Sequence, residues 1–212
     1  MRAAITSHLQ ASDSELPMRP DVPIGPILSL VDYGPQGENR MNADELAGVV
    51  GREAAKELNH ALAKIKHCLG QLSDDQVWWR SHPTMNSVGN LIVHLCGNVG
   101  QWIIAGLGSG PDIRNRPAEF SERGPIPREE LLGRLEAVVN EARGVLEGQT
   151  SAQLVEPRRI QGSIVTGLQA VFSSVPHFQG HTQEIIHLTR LQVGDGYRVF
   201  WQPKSPEEGA PP

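Results

Sequence analysis

The sequence predicts an all-α protein, a four-helix bundle with a long connector between its second and third helices. Three observations carry that expectation: four stretches with apolar residues at helical spacing, capping signals at several of their starts, and a proline-rich gap in the middle. A chain of 212 residues is long enough for one ordinary domain with a sizeable core.

Nine of the sixteen prolines fall before residue 46 or after residue 202. Proline removes a backbone donor and biases the residue before it toward extended geometry. Residues 1–42 therefore read as a poorly ordered leader and residues 203–212 as a frayed tail, with 43–202 the folded domain. Met41 is a second possible start.

The first helix is expected from about Ala43 to Gly70, with Leu58, Leu62, Ile65 and Leu69 as its stripe. Ser73 to Gln76 reads as a capping box opening a short turn, which carries Trp78 and Trp79 as core and rim packing. The second helix starts near Asn86 or Ser87 and runs to about Ala105, with a core stripe of Val88, Leu91, Leu95, Val99 and Trp102. Pro111, Pro117, Pro125 and Pro127 mark the connector. The third helix, Pro127 to Glu147, is expected to pack with Leu131, Leu135, Val138, Ala142 and Val145. Residues 156–165 read as extended chain, because Ile160, Ile164 and Val165 favour strands. Thr166 to Gln169 is a further capping box, and the fourth helix follows it to about Val193, where Gly194 supplies the stop.

Charge and composition narrow the function. The formal net charge is −5, and no basic stripe marks a nucleic-acid groove. The two cysteines, Cys68 and Cys96, sit inside helical patterns, which fits reduced thiols better than a disulfide framework. The first residues lack the apolar run of a signal peptide, and no uninterrupted apolar run approaches the roughly eighteen residues of a membrane span. The expectation is a soluble cytoplasmic protein without nucleic-acid or membrane partners.

Three of the eight histidines stand out. His177 and His181 are four residues apart, so on a helix their side chains leave one face about 5–6 Å from each other at Cβ. His94 lies on the second helix in a row with Ser87, Asn90, Asn98 and Gln101, roughly 110° from the apolar stripe. That row carries no charge, unlike a solvated helix face, and reads as a pocket wall. A partly buried His94 bonded to a neighbour is the competing reading. Three neutral imidazoles leave a coordination position open, the pattern of catalytic zinc sites. On the fourth helix Leu168, Phe172, Val175 and Ile186 form one stripe, with His177, His181, Glu184 and Leu188 roughly opposite. Pro176 could kink that helix. Glu184 has three readings: partner to His181, base toward metal-bound water, or ordinary surface residue. His60 and His67 fall on a solvated face, His187 points about 120° away from His181, His82 sits in a loop and His8 in the leader. Cys96 lies across the helix from His94 and is a poor ligand.

The stretch Asn86-Ser-Val-Gly-Asn-Leu-Ile-Val-His94-Leu-Cys-Gly-Asn98, followed by Gln101-Trp102-Ile103, resembles the second-helix signature of the DinB-like superfamily. His177-Phe-Gln-Gly-His181-Thr-Gln-Glu-Ile185 resembles its fourth-helix motif. Within the superfamily the chain looks most like the DUF1572-type proteins, over roughly residues 44–201. The resemblance implies an antiparallel four-helix bundle, often a homodimer, with a divalent metal held by His94, His177 and His181. Relatives include thiol-dependent S-transferases and isomerases that use bacillithiol, mycothiol or glutathione. One departure is that Glu184 stands where relatives commonly carry glutamine.

Two functions follow as expectations. One is a metal-dependent transferase, with Zn²⁺ or Ni²⁺ foremost, a low-molecular-weight thiol as co-substrate and Glu184 moving a proton; a hydrolase using metal-bound water is a variant. The other is a non-catalytic metal-binding or stress-response bundle. Either way, metal binding is expected to weaken below about pH 6.5, where imidazole protonates.

Overall fold

Asn42 opens the first helix: its side-chain oxygen accepts from the Glu45 N–H, and the Glu45 carboxylate accepts from the Asn42 N–H. The computed structural model describes residues 41–202. The expectations for the leader through Arg40, His8 among them, and for the tail from Pro203 fall outside the described residues.

The described chain is mostly helical. α1 spans Ala43–Leu69, α2 Asp74–Trp78, α3 Val88–Val99, α4 Gly106–Gly108, α5 Arg116–Ser121, α6 Arg128–Glu147, α7 Ser151–Val155 and α8 Gly167–Val193. A π-helical turn, Gly100–Ala105, joins α3 to α4. Two short strands, β1 Pro157–Ile160 and β2 Ser163–Thr166, pair antiparallel with Pro157 opposite Thr166. Capping boxes at Ser73, Ser87, Thr150 and Thr166 fix the starts of α2, α3, α7 and α8.

Four long helices share one core. α1 packs on α6 and α8, and α3 packs on the same two. Small residues set the closest approach: a Cβ on Gly51 would lie 2.1 Å from the Leu146 carbonyl oxygen, so α1 and α6 touch backbone to backbone there. Ala47, Ala54, Ala55 and Ala61 continue that small-residue surface, while Leu58 and Ile65 fill the interior. Leu62, expected in the stripe, is only half-buried.

Two stripes differ from the sequence reading. On α6 the buried residues are Leu131, Leu135, Val139, Ala142 and Leu146, with Val138 and Val145 half-buried beside them. The helix is wedged between α1 and α3, which centres its buried face one residue further on. On α8 Leu168 and Phe172 are exposed, Phe172 by 68%. The face that is buried runs through Ala170, Val171, Ser174, Phe178, Thr182 and Ile185. The Leu168 row and the histidine row do lie roughly opposite each other, but neither is the centre of the buried face. They are two flanks of one buried face, each roughly 90° from its centre at 100° per residue.

The helical run Val88–Gly108 has a mean hydropathy of 1.4 over a membrane-length window, so by length and composition it is apolar enough to span a bilayer, unlike the expectation from uninterrupted runs. Here α6 and α8 take its sides, and it buries Asn90, His94 and Asn98.

The connector is not bare loop. Asn115 accepts from the Ala118 N–H and Pro117 occupies the first turn, which starts α5. Trp78 pins the connector's far end, donating from Nε1 to the Ile126 carbonyl at 3.0 Å. Its indole lies where a Cβ on Gly89 of α3 or on Gly124 of the connector would have to go. Asn90 donates to the carbonyls of Glu119 and Glu122 at 2.9 and 3.0 Å, tying α5 onto α3.

Candidate metal centre

His94, His177 and His181 come together between α3 and α8. One nitrogen of each lies within 4.8 Å of the others, a group that could hold a metal ion. His94 Nε2 and His177 Nε2 face each other at 2.9 Å. The ring centroids are 4.5 to 5.1 Å apart, with each pair close to perpendicular. The short nitrogen distances, rather than the ring angles, bring one potential ligand atom of each histidine to a common point.

The outer nitrogens of two rings are held by carboxylates. His94 Nδ1 lies 2.7 Å from Glu119 Oε2, and His181 Nδ1 lies 2.9 Å from Glu184 Oε2. A carboxylate can only accept, so each Nδ1 carries the proton and each Nε2 is left with its lone pair. Arg114 Nη2 is also 3.2 Å from His94 Nδ1. Both groups are donors there, so they are neighbours through Glu119 Oε2, which accepts from both. Glu184 therefore sits on the far side of the imidazole from His181 Nε2.

Arg114 fastens Glu119: its Nε donates to Oε1 at 2.7 Å and its Nη2 to Oε2 at 3.0 Å, while Nη1 donates to Gln101 Oε1 at 2.9 Å. The two side chains are only 3% and 5% exposed. A buried pair of this kind holds its geometry because breaking it would strand a charge away from water. Gly97 makes room for it, since a Cβ there would lie 2.0 Å from Glu119 Oε1.

Burial lowers the pKa of His94, with His181 and Arg114 adding to the effect against Glu119. Burial also brings His177 down to about 4, assisted by the other two histidines and by Arg114 and Arg116. Both rings are consequently neutral at pH 7, the form that offers a lone pair to a metal.

Beside the trio is a compartment of about 230 Å³. Trp102, at the π-helical turn, forms one wall and donates from Nε1 to Gln161 Oε1 at 3.0 Å. Gln161 is at the tip of the β hairpin in the left-handed region, φ +50°, followed by Gly162 at +83°. Phe120 packs 5.0 Å from the His94 ring. Of the uncharged row, Asn98 lines this compartment and accepts from Ser174 Oγ at 2.9 Å. Ser87, Asn90 and Gln101 instead cap α3 and bind the connector, so the row is mainly a hydrogen-bonded seam rather than a pocket wall.

The other histidines stay apart. His60, His82 and His187 are exposed. His67 is half-buried, not solvated as its helical angle implied, because it bonds the Arg198 carbonyl and packs against Tyr197 and Phe200. Cys96 lines a separate cavity of about 620 Å³ between α3, the connector and α6, and burial pushes its thiol up to about 12.

The sequence reading missed Arg114, Arg116, Glu119, Phe120 and Gln161. The start signal for α5, Asn115 followed by Pro117, was present in the sequence. That the resulting turn would land on His94 was not, since Asn90 and Trp78 decide it from other elements.

Fold and site together define a mostly helical protein with a three-histidine cluster able to hold a metal ion. The chain belongs to the DUF1572 family, proteins of unknown function, whose family model matches residues 50–205. The crystal structure of a conserved protein from Enterococcus faecalis has a similar fold, with a TM-score of 0.58 and 18% identity, covering 69% of this chain and 98% of that one. No curated protein matches this chain.

Proposed function

We propose that this protein is a divalent-metal-dependent thiol S-transferase built as a DinB-like, antiparallel four-helix bundle. His94, His177 and His181 are the ligands, and zinc or nickel is the metal. The observation that carries the reading is the pairing of crossed, convergent imidazoles with carboxylates on the outer nitrogens of His94 and His181. A divalent ion in such a site lowers the pKa of a small thiol and leaves a position open for it.

The protein's own residues do the rest. Glu119 and Glu184 hold the Nδ1 protons and so keep two Nε2 lone pairs aimed inward. Arg114 fixes Glu119. Trp102 and Phe120 shield the site from bulk water. In the transfer step the thiol proton leaves to solvent, the sulfur bonds to the electrophilic carbon, and the leaving group departs with its bonding electron pair. Glu184 is a positioning residue in this scheme.

Elemental analysis of untagged protein tests the metal reading. We expect about one divalent ion per chain, lost in His94→Ala and in His177→Ala. Protein without bound metal after loading with zinc and nickel would overturn it. A screen of loaded protein with small thiols and electrophiles then separates a transferase from a non-catalytic metal-binding bundle, which gives no turnover with any thiol.

A further inference from the structure

We propose that the compartment beside the three histidines binds a small carboxylate-bearing molecule, with its carboxylate on the Arg116 guanidinium. This deepens the metal-site reading and rests on it for the role of the bound molecule, although the anion site itself is argued from different residues.

The compartment is lined by two arginines and by no aspartate or glutamate. The two arginines differ in how their donors are used. Arg114 is buried and spends its donors on Glu119 and Gln101. Arg116 has no hydrogen bond or carboxylate partner among the described residues. Its guanidinium lies over the Phe120 ring, 4.9 Å from the centroid. With no hydrogen bond spent among the described residues, its N–H fork is free for a ligand.

That fork matches a carboxylate, which accepts two parallel hydrogen bonds. Gln161 adds to the same wall: its Oε1 is occupied by the Trp102 indole, which leaves its Nε2 donors for a ligand. The neutral imidazoles bring no negative charge, and a bound divalent ion would add positive charge. A cationic ligand would meet repulsion without compensation. The volume, about 230 Å³, lies below the roughly 300–1,000 Å³ of drug-sized ligand sites, so the guest is the size of an amino acid or smaller.

The test compares β-mercaptopropionate with β-mercaptopropionamide on zinc-loaded protein by titration calorimetry, with zinc content measured alongside. The acid is expected to bind about tenfold more tightly, the ordinary scale for a hydrogen bond to a charged group. Arg116→Gln should bring the two ligands to within about twofold while zinc content stays unchanged. Equal binding of acid and amide to the native protein, or a preference that survives Arg116→Gln, would overturn the inference. A second arm uses metal-free protein with propionate and propionamide, read by the change in tryptophan fluorescence that Trp102→Phe removes. If zinc fails to bind but propionate saturates in an Arg116-dependent way, the metal reading falls and the anion site stands. If zinc binds and neither arm distinguishes charge, the anion site falls alone.

Discussion

His94 uses its two ring nitrogens for different purposes, and that division is the basis of the site. Nδ1 is tied to Glu119, which leaves Nε2 facing His177 at 2.9 Å. Glu119→Gln keeps the shape but can present an N–H to Nδ1, so the imidazole is free to turn or change tautomer. Metal affinity should fall about 10- to 100-fold, measured by competition with a chelator, with a smaller loss for the more exposed Glu184→Gln. The pH dependence follows from His177. An unfolded histidine takes up a proton near pH 6.5, whereas the folded His177 does so only near 4. The folded state therefore binds fewer protons in that window. The stability tied to a neutral His177 is complete above about pH 6.5 and is lost as pH falls toward 4. Thermal melts of metal-stripped protein should show a Tm decline across that range that His177→Ala reduces. The same lowering extends metal retention below the pH expected from an ordinary imidazole; half-loss of metal above pH 6.5 would contradict it.

At the scale of elements, local chemistry was readable where it acts within one turn. The capping boxes at Ser73 and Thr166 mark helix starts because donor and acceptor are three residues apart in the chain. The faces of α6 and α8 were less readable, because a helix touched by two neighbours buries a face that neither stripe alone defines. Glycines test these packings. Gly51→Ala should destabilise the protein by about 1–3 kcal/mol, because a Cβ would meet the rigid Leu146 carbonyl. Gly133→Ala, in open space on α6, should stabilise by about 0.5–1 kcal/mol through helix propensity. Urea denaturation of both variants reads the contrast, and equal effects would mean α1 and α6 are not in close contact. Gly97→Ala pushes on the Glu119 carboxylate and should weaken metal binding while leaving the secondary structure seen by circular dichroism in place.

For the whole molecule, a bound ion would join α3 to α8 through residues 83 positions apart in sequence. Only the folded chain can offer all three nitrogens, so metal at a hundredfold excess over Kd should add about 2.7 kcal/mol. For a protein of this size that is a Tm rise of about 5–10 °C. Scanning calorimetry with and without zinc checks it, and an unchanged Tm would speak against a site that bridges the helices. Much of the candidate site was legible because His177 and His181 are neighbours by helical period and His94 sits in an uncharged row. By itself the sequence determined the helical period, the starts and stops of the long helices, the extended segment at 156–165 and the His177–His181 pair, all of which depend on residues within a few positions of one another. Only the tertiary structure decided that Glu119 and Arg114 stand behind His94, that Arg116 and Gln161 reach the same compartment, and that Phe172 faces outward. Those placements depend on contacts such as Asn90 to the Glu119 carbonyl and Trp78 to the Ile126 carbonyl, which close over distances in the chain that no local pattern encodes.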